Sequence, residues 1–196
     1  VEYVNGRVPV YVGTGAITTR ESVLLTKMAE SVGADVVSVI TPMFITPTED
    51  ELYEHYVEIA KSTKLPVLLY NNPGRAGVNL SARLVERLSQ IDNIVGIKDS
   101  SGDMTLTGEY LRLTDRKKFN VICGRDTMIL ATLTYGGSGA IAATSNIAPA
   151  LVVSIYNNFM KGDLKAALEA QFNLAPLRIA FGLGTFPVIM KEALSL

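Results

Sequence analysis

One cysteine and one histidine in 196 residues leave few means for several common chemistries. A lone Cys123 excludes an internal disulfide framework, and together with His55 it makes neither a zinc-ligand spacing nor a short-range Cys/His pair. Both residues are read as core or interface positions. An excess of either charge is also lacking: 18 Lys and Arg stand against 19 Asp and Glu, for a net charge of -1. Without a basic run, a nucleic-acid partner has no electrostatic basis. The apolar runs are short and broken by Gly, Pro and charge, so no signal-like or membrane-spanning stretch is expected and the cytoplasm is the default location. No Gly-x-Gly-x-x-Gly turn follows a strand and no Gly-x-x-x-x-Gly-Lys-Ser/Thr loop occurs, which removes the usual marks of a nucleotide-binding sheet.

What the chain does have is a regular alternation of short apolar runs with helix-period segments, in a composition 48% hydrophobic and 19% charged that suits one domain with a sizeable core. The expected strands are 8–13, 36–40, 65–70, 94–98, 119–123 and 140–143. Between them, helices are expected over 19–32, where Val23, Leu24, Met28 and Ala29 supply the apolar positions, and after the Thr48-Glu49-Asp50-Glu51 cap, with Leu52, Tyr56 and Ile59 on one face. Further helices are expected from Ser81 to about Leu88 and over 104–114, 127–135 and 148–160. Two more, at 163–181 and 187–196, are followed by no strand. The chain thus divides into a β/α region, 1–160, and a helical extension, 161–196.

Six β/α units with Val-, Ile- and Leu-rich strands call for a parallel sheet covered by helices. A doubly wound open sheet and a (β/α) barrel both satisfy that pattern. Polar groups gather at successive strand ends, at Thr14, Thr41, Tyr70, Lys98, Gly124-Arg125-Asp126 and Thr144-Ser145-Asn146. A barrel would bring these ends to one mouth.

Lys98 carries the most chemical meaning. It lies in Ile94-Val-Gly-Ile-Lys-Asp-Ser-Ser101, where an apolar strand delivers one amine to a polar turn, and an amine in such a place can be a nucleophile for a carbonyl carbon. A Lys at a strand end can equally send its head to solvent. The segment Leu65-Pro-Val-Leu-Leu-Tyr-Asn-Asn-Pro-Gly-Arg75 shifts the balance. Tyr70 can pass protons to and from a carbinolamine, and Arg75 can hold a carboxylate with two parallel hydrogen bonds.

Gly13-Thr-Gly-Ala16, Tyr70-Asn-Asn-Pro-Gly-Arg75, Gly96-Ile-Lys-Asp-Ser-Ser-Gly102 and Gly136-Gly-Ser-Gly-Ala-Ile-Ala143 together resemble the dihydrodipicolinate synthase and N-acetylneuraminate lyase family of class I aldolases, in order and spacing, over essentially the whole chain. The resemblance implies a TIM (β/α)8 barrel, of which this sequence would hold strands 3 to 8 and part of a C-terminal helical extension. It also implies a homo-oligomer, dimer or tetramer, with no metal or organic cofactor. Lys98 would form the Schiff base with pyruvate or another 2-oxo acid and Tyr70 would relay protons. Arg75, Asn71, Gly124, Arg125 and the backbone around Ile141, which would contact the pyruvyl carboxylate, would bind substrate. The implied activity is that of a carbon–oxygen or carbon–carbon lyase that condenses pyruvate with an aldehyde, as in 4-hydroxy-tetrahydrodipicolinate synthases, or cleaves a 2-keto-3-deoxy sugar acid.

Three departures from the family pattern bear on that reading. The first two strands, with a Gly-Thr-Thr-Gly-Glu motif whose threonines complete the relay, are expected to lie in a longer polypeptide. Thr41-Pro-Met-Phe44 stands where synthases commonly carry Thr-Pro-Tyr-Tyr, so Phe44 lacks the hydroxyl that would join the relay across a subunit interface, which weighs against strict dihydrodipicolinate synthase activity. Arg125 places a cation where relatives often have a small acid or amide, able to bind a second carboxylate or simply to cover the rim, whereas Arg75 in its Pro-Gly-Arg context is more synthase-like than lyase-like. The alternative from another class is a catalytically silent barrel fragment that serves as an oligomerising or ligand-binding scaffold.

Overall fold

A computed structural model describes residues 1–196. Its six strands are β1 (Tyr11–Gly13), β2 (Val36–Ile40), β3 (Val67–Asn71), β4 (Ile94–Asp99), β5 (Asn120–Cys123) and β6 (Gly139–Ala140). They follow one another across the sheet in chain order, and the β1–β2, β2–β3, β3–β4 and β5–β6 pairs are parallel. This order decides between the two architectures. A doubly wound sheet reverses its strand order at a switch point, whereas consecutive parallel strands with no reversal are those of a (β/α) barrel.

The contacts divide the chain within β5 into two compact units, residues 1–121 and 122–196. In the first unit the helices are α1 (Thr19–Ser31), α2 (Glu49–Lys61), α3 (Pro73–Ala76), α4 (Ala82–Leu88) and α5 (Met104–Leu113). Each longer helix starts where a side chain satisfies free backbone N–H groups: Thr18, Thr48, Ser81 and Asp103 all accept from the first turn. At α2 the bonds are reciprocal, with Thr48 N donating to Glu51 at 2.7 Å and Glu51 N donating to Thr48 Oγ1 at 3.3 Å. As the apolar spacing predicts, Leu52, Tyr56 and Ile59 are buried. They join Val37, Val39, Val67, Leu69, Ile94 and Ile97 in one core between sheet and helices.

α1 departs from expectation. Its buried face is Ser22, Thr26 and Ala29, while Leu24, Leu25, Met28 and Val32 are exposed. The reason is polar: Ser22 Oγ accepts from Ala16 N and Thr26 Oγ1 donates to Thr14 Oγ1, which ties the helix to the chain leaving β1.

The second unit holds α6 (Ile129–Thr134), α7 (Pro149–Met160), α8 (Leu164–Ala180) and α9 (Val188–Ala193). Cys123, Ile129, Leu133, Ala142, Ile155, Ala170 and Leu174 form its core. The expected strand 140–143 is only two residues long, because the chain turns into a 3-10 segment at Ala143–Asn146. Likewise 127–135 is a 3-10 turn, Asp126–Met128, followed by the short α6. No helix is long and apolar enough to cross a membrane.

Candidate active site

Strand alternation sorts the ends of β3 and β4 onto two faces. Val67, Leu69 and Ile97 enter the helix-side core, so Tyr70 and Lys98 face the opposite way. They are register partners on adjacent parallel strands. Lys98 Nζ lies 4.0 Å from the centroid of the Tyr70 ring, a cation–π distance.

The phenol of Tyr70 is held by Asn72, whose Nδ2 donates to Tyr70 Oη at 2.9 Å, and by Ser100. Partial burial opposes its ionisation, but the Lys98 charge and the hydrogen bonds to Ser100 and Asn72 outweigh that and place its pKa below the ordinary tyrosine value. A phenol so tuned gives up and recovers a proton more readily near neutral pH. Ser100 and Asn72 were not anticipated. Only their positions beside Tyr70 and Lys98 in the motifs could have suggested them.

Asn71 differs from its expected place among substrate contacts. It is buried on the helix side of β3, where Nδ2 donates to Asn79 Oδ1, Asp99 Oδ1 and Tyr110 Oη, and Oδ1 accepts from Leu80 N. Its amide is wholly committed to the protein, and period-2 geometry turns it away from Tyr70. Arg75 lies on α3 rather than in a simple turn. Pro73 opens that four-residue helix and Gly77, at φ 73°, closes it in the left-handed conformation. Its side chain is exposed.

Thr14 and Thr41 are buried at the ends of β1 and β2. Thr41 Oγ1 has no hydrogen-bond partner. Beyond Thr41, Phe44 is 91% exposed at φ 79°.

Gly124, Arg125 and Ile141 belong to the second unit, where one side chain orders both of their loops. Asp126, buried, accepts from Ala143 N at 3.3 Å and Thr144 N at 2.9 Å. Gln171 of α8 braces the same loop, donating to Asp126 O and accepting from Leu130 N. Arg125 is exposed. The Ile141 amide donates to Cys123 O at 2.9 Å, so it is spent in the sheet and cannot also donate to a carboxylate. No cluster of three His, Cys, Asp or Glu side chains is placed to hold a metal ion.

Comparison with known proteins bears on what such a site does. The sequence profile of the Dihydrodipicolinate synthetase family matches residues 1–196. The chain is 42% identical to the 4-hydroxy-tetrahydrodipicolinate synthase of Thermodesulfovibrio yellowstonii, aligning over its whole length with 67% of that protein. It is 41% identical to the enzyme of that name from Methanoculleus marisnigri, again over 100% of this chain and 67% of the relative. Among solved structures, YagE of Escherichia coli K12, a prophage protein of the dihydrodipicolinic acid synthase family in complex with pyruvate, superposes with a TM-score of 0.94 at 34% identity. That match covers 98% of this chain and 66% of YagE. The dihydrodipicolinate synthase of Acinetobacter baumannii complexed with pyruvate gives 0.94 at 36% identity, over 99% and 66% of the two chains. The chain therefore spans about two thirds of the length of these relatives. The six parallel strands match part of a TIM barrel, and the chain belongs to the dihydrodipicolinate synthetase family.

Proposed function

We propose that this chain carries the Schiff-base centre of a pyruvate-dependent class I aldolase, with Lys98 as the nucleophile and Tyr70 as the proton relay. The observation that carries the reading is the pairing of one amine with one phenol, in register on adjacent strands and 4.0 Å apart from nitrogen to ring centroid.

The chemistry follows from those two groups. The Lys98 amine, once its ammonium has given up a proton, adds to C2 of pyruvate, and transfer of a further proton from the nitrogen to the carbonyl oxygen gives a carbinolamine. Loss of water leaves an iminium, an electron sink that acidifies the adjacent methyl group. Removal of a methyl proton yields an enamine whose carbon attacks an aldehyde, and the new alkoxide is protonated. Water then adds to the iminium, releases the product and returns the free amine. Tyr70, beside the Lys98 amine and hydrogen-bonded to Ser100 and Asn72, is suited to deliver and recover the protons at the oxygen atoms. The iminium formed on Lys98 is itself the electron sink, so no metal or organic cofactor enters the scheme. Arg75 supplies a cation for the substrate carboxylate.

Condensation of pyruvate with an aldehyde, the reaction type of relatives named 4-hydroxy-tetrahydrodipicolinate synthase, is the preferred direction. A homo-oligomer in the cytoplasm is the expected form. Incubation with pyruvate and borohydride, followed by peptide mapping, tests the proposal. A reduced pyruvyl adduct on Lys98 is expected, and its absence would leave the silent scaffold as the better reading.

A further inference from the structure

Behind the Lys98–Tyr70 pair lies a buried polar cluster that the proton-relay chemistry does not use. Asn71 and Asp99 follow Tyr70 and Lys98 on β3 and β4 and are themselves register partners. Both are buried, at 0% and 4% exposure, among otherwise apolar neighbours.

Asp99 receives four donors. Asn71 Nδ2 and Ser101 N reach Oδ1 at 3.1 and 3.0 Å, and Ser101 Oγ and Thr107 Oγ1 reach Oδ2 at 3.0 and 2.7 Å. The side-chain bond to the N–H two residues on is an Asx turn, which fixes how the chain leaves the strand. Ser100 is the residue inside that turn. Its N–H continues the ladder to Asn71 O at 2.8 Å, and it hydrogen-bonds to Tyr70. From the other side Tyr110 of α5 accepts from Asn71 and donates to Leu80 O, so the ends of both strands are tied to α5 and to the segment entering α4.

We infer that Asp99, acting with Asn71, is the positioning residue that sets the mutual placement of Lys98, Tyr70 and Ser100. The inference rests on the aldolase reading above for its catalytic meaning, but the placement of Lys98 can be followed without any substrate. A network of four satisfied donors on a desolvated carboxylate has one low-energy arrangement, and each reacting residue is one peptide bond from it.

The test uses the intact protein with Asp99→Ala, Asp99→Asn and Thr107→Val. Asn in place of Asp99 keeps an acceptor for Asn71 and Ser101 N, and the Ser101 and Thr107 hydroxyls can turn to accept from its amide. Two readouts are taken across pH 6 to 10. One is the rate of borohydride trapping of pyruvate on Lys98; the other is competitive acylation by acetic anhydride, which gives the reactivity and titration of Lys98 without any substrate. Asp99→Ala is expected to slow trapping by about tenfold or more, since displacements near an ångström cost about a hundredfold, and to move the Lys98 titration. Asp99→Asn should restore most of both. Should Asp99→Ala not fold, Thr107→Val, which removes the hydroxyl that donates to Asp99 and also reaches Asp103 O, is expected to slow trapping about threefold with a smaller move in titration, against Asp99→Asn near the parent. If every folded variant matches the parent in trapping rate and in the pH profile of acylation, and only its melting temperature falls, the inference is overturned. A parent that traps no pyruvate refutes the aldolase reading instead, and the acylation profiles still decide the positioning role.

Discussion

Gly96 is the position where one added methyl group should do most harm. An ideal Cβ built there meets the Asn120 carbonyl oxygen more than half an ångström inside the 3.0 Å that real Cβ contacts respect, with Asn120 Cβ at 3.1 Å and its carbonyl carbon at 3.2 Å. The oxygen and carbonyl carbon are backbone atoms of the next strand and the Cβ is fixed to that backbone, so no flexible side-chain end can swing away. Relief requires β4 and β5 to separate near Gly96, two residues before Lys98. Overpacking of this kind typically costs about 1–3 kcal/mol, and the upper end applies where the neighbour is main chain. For a domain of this size about 2–4 °C of melting temperature is lost per kcal/mol, so Gly96→Ala should melt roughly 5–10 °C below the parent. The same movement shifts Lys98 against Tyr70, and pyruvate trapping should slow by about tenfold or more. Gly139→Ala is the matched control, because a Cβ there meets nothing within 4 Å. Thermal melts followed by circular dichroism, alongside the trapping assay, measure both effects. A Gly96→Ala protein that melts within about a degree of the Gly139→Ala control and traps pyruvate at the parental rate would refute the reasoning.

Other predictions follow from single groups. His55 is buried, with Nδ1 hydrogen-bonded to Thr19 Oγ1 at 2.9 Å and Nε2 without a partner, and burial lowers its pKa from 6.5 to about 4. Its folded pKa lies below the unfolded value, so the stability it contributes is present above pH 6.5 and is lost as pH falls towards 4. Relative to His55→Gln, urea unfolding should show the parent losing about 2 kcal/mol between pH 7 and 4.5, whereas parallel curves would contradict this. Thr48→Ala breaks the reciprocal cap of α2 and should cost about 1 kcal/mol, read as a lower urea midpoint at unchanged slope. Tyr70→Phe removes the relay hydroxyl but not the amine, so turnover should fall by about 10² to 10⁴ while Lys98 still traps pyruvate slowly; turnover at the parental rate would exclude Tyr70 from proton transfer.

Much of this protein is legible in its residues one at a time. The short apolar runs and the Thr48 and Ser81 caps locate strands and helices, since they depend on neighbours within a few positions. The strand-end placement of Tyr70 and Lys98 follows from the same local pattern. The division of side chains between faces was less accessible. In α1, Ser22 and Thr26 are buried in preference to Leu24 and Met28 because their hydroxyls meet Ala16 N and Thr14 Oγ1, partners that only the folded chain supplies.

The motif Tyr70-Asn71-Asn72 shows the boundary between the two kinds of information most clearly. Read from the sequence, Tyr70 and Asn71 are candidates for the site and Asn72 is not. Tertiary structure sends Asn72 to the Tyr70 phenol and Asn71 to Asp99 and Tyr110 on the other face. What the sequence by itself determined is a parallel β/α chain that delivers one lysine and one tyrosine to adjacent strand ends, because that rests on local periodicity. Only the tertiary structure decided which polar groups hold those two residues in place, because partners 28 positions apart, Asn71 and Asp99, and 39 apart, Asn71 and Tyr110, carry no local signal of a contact.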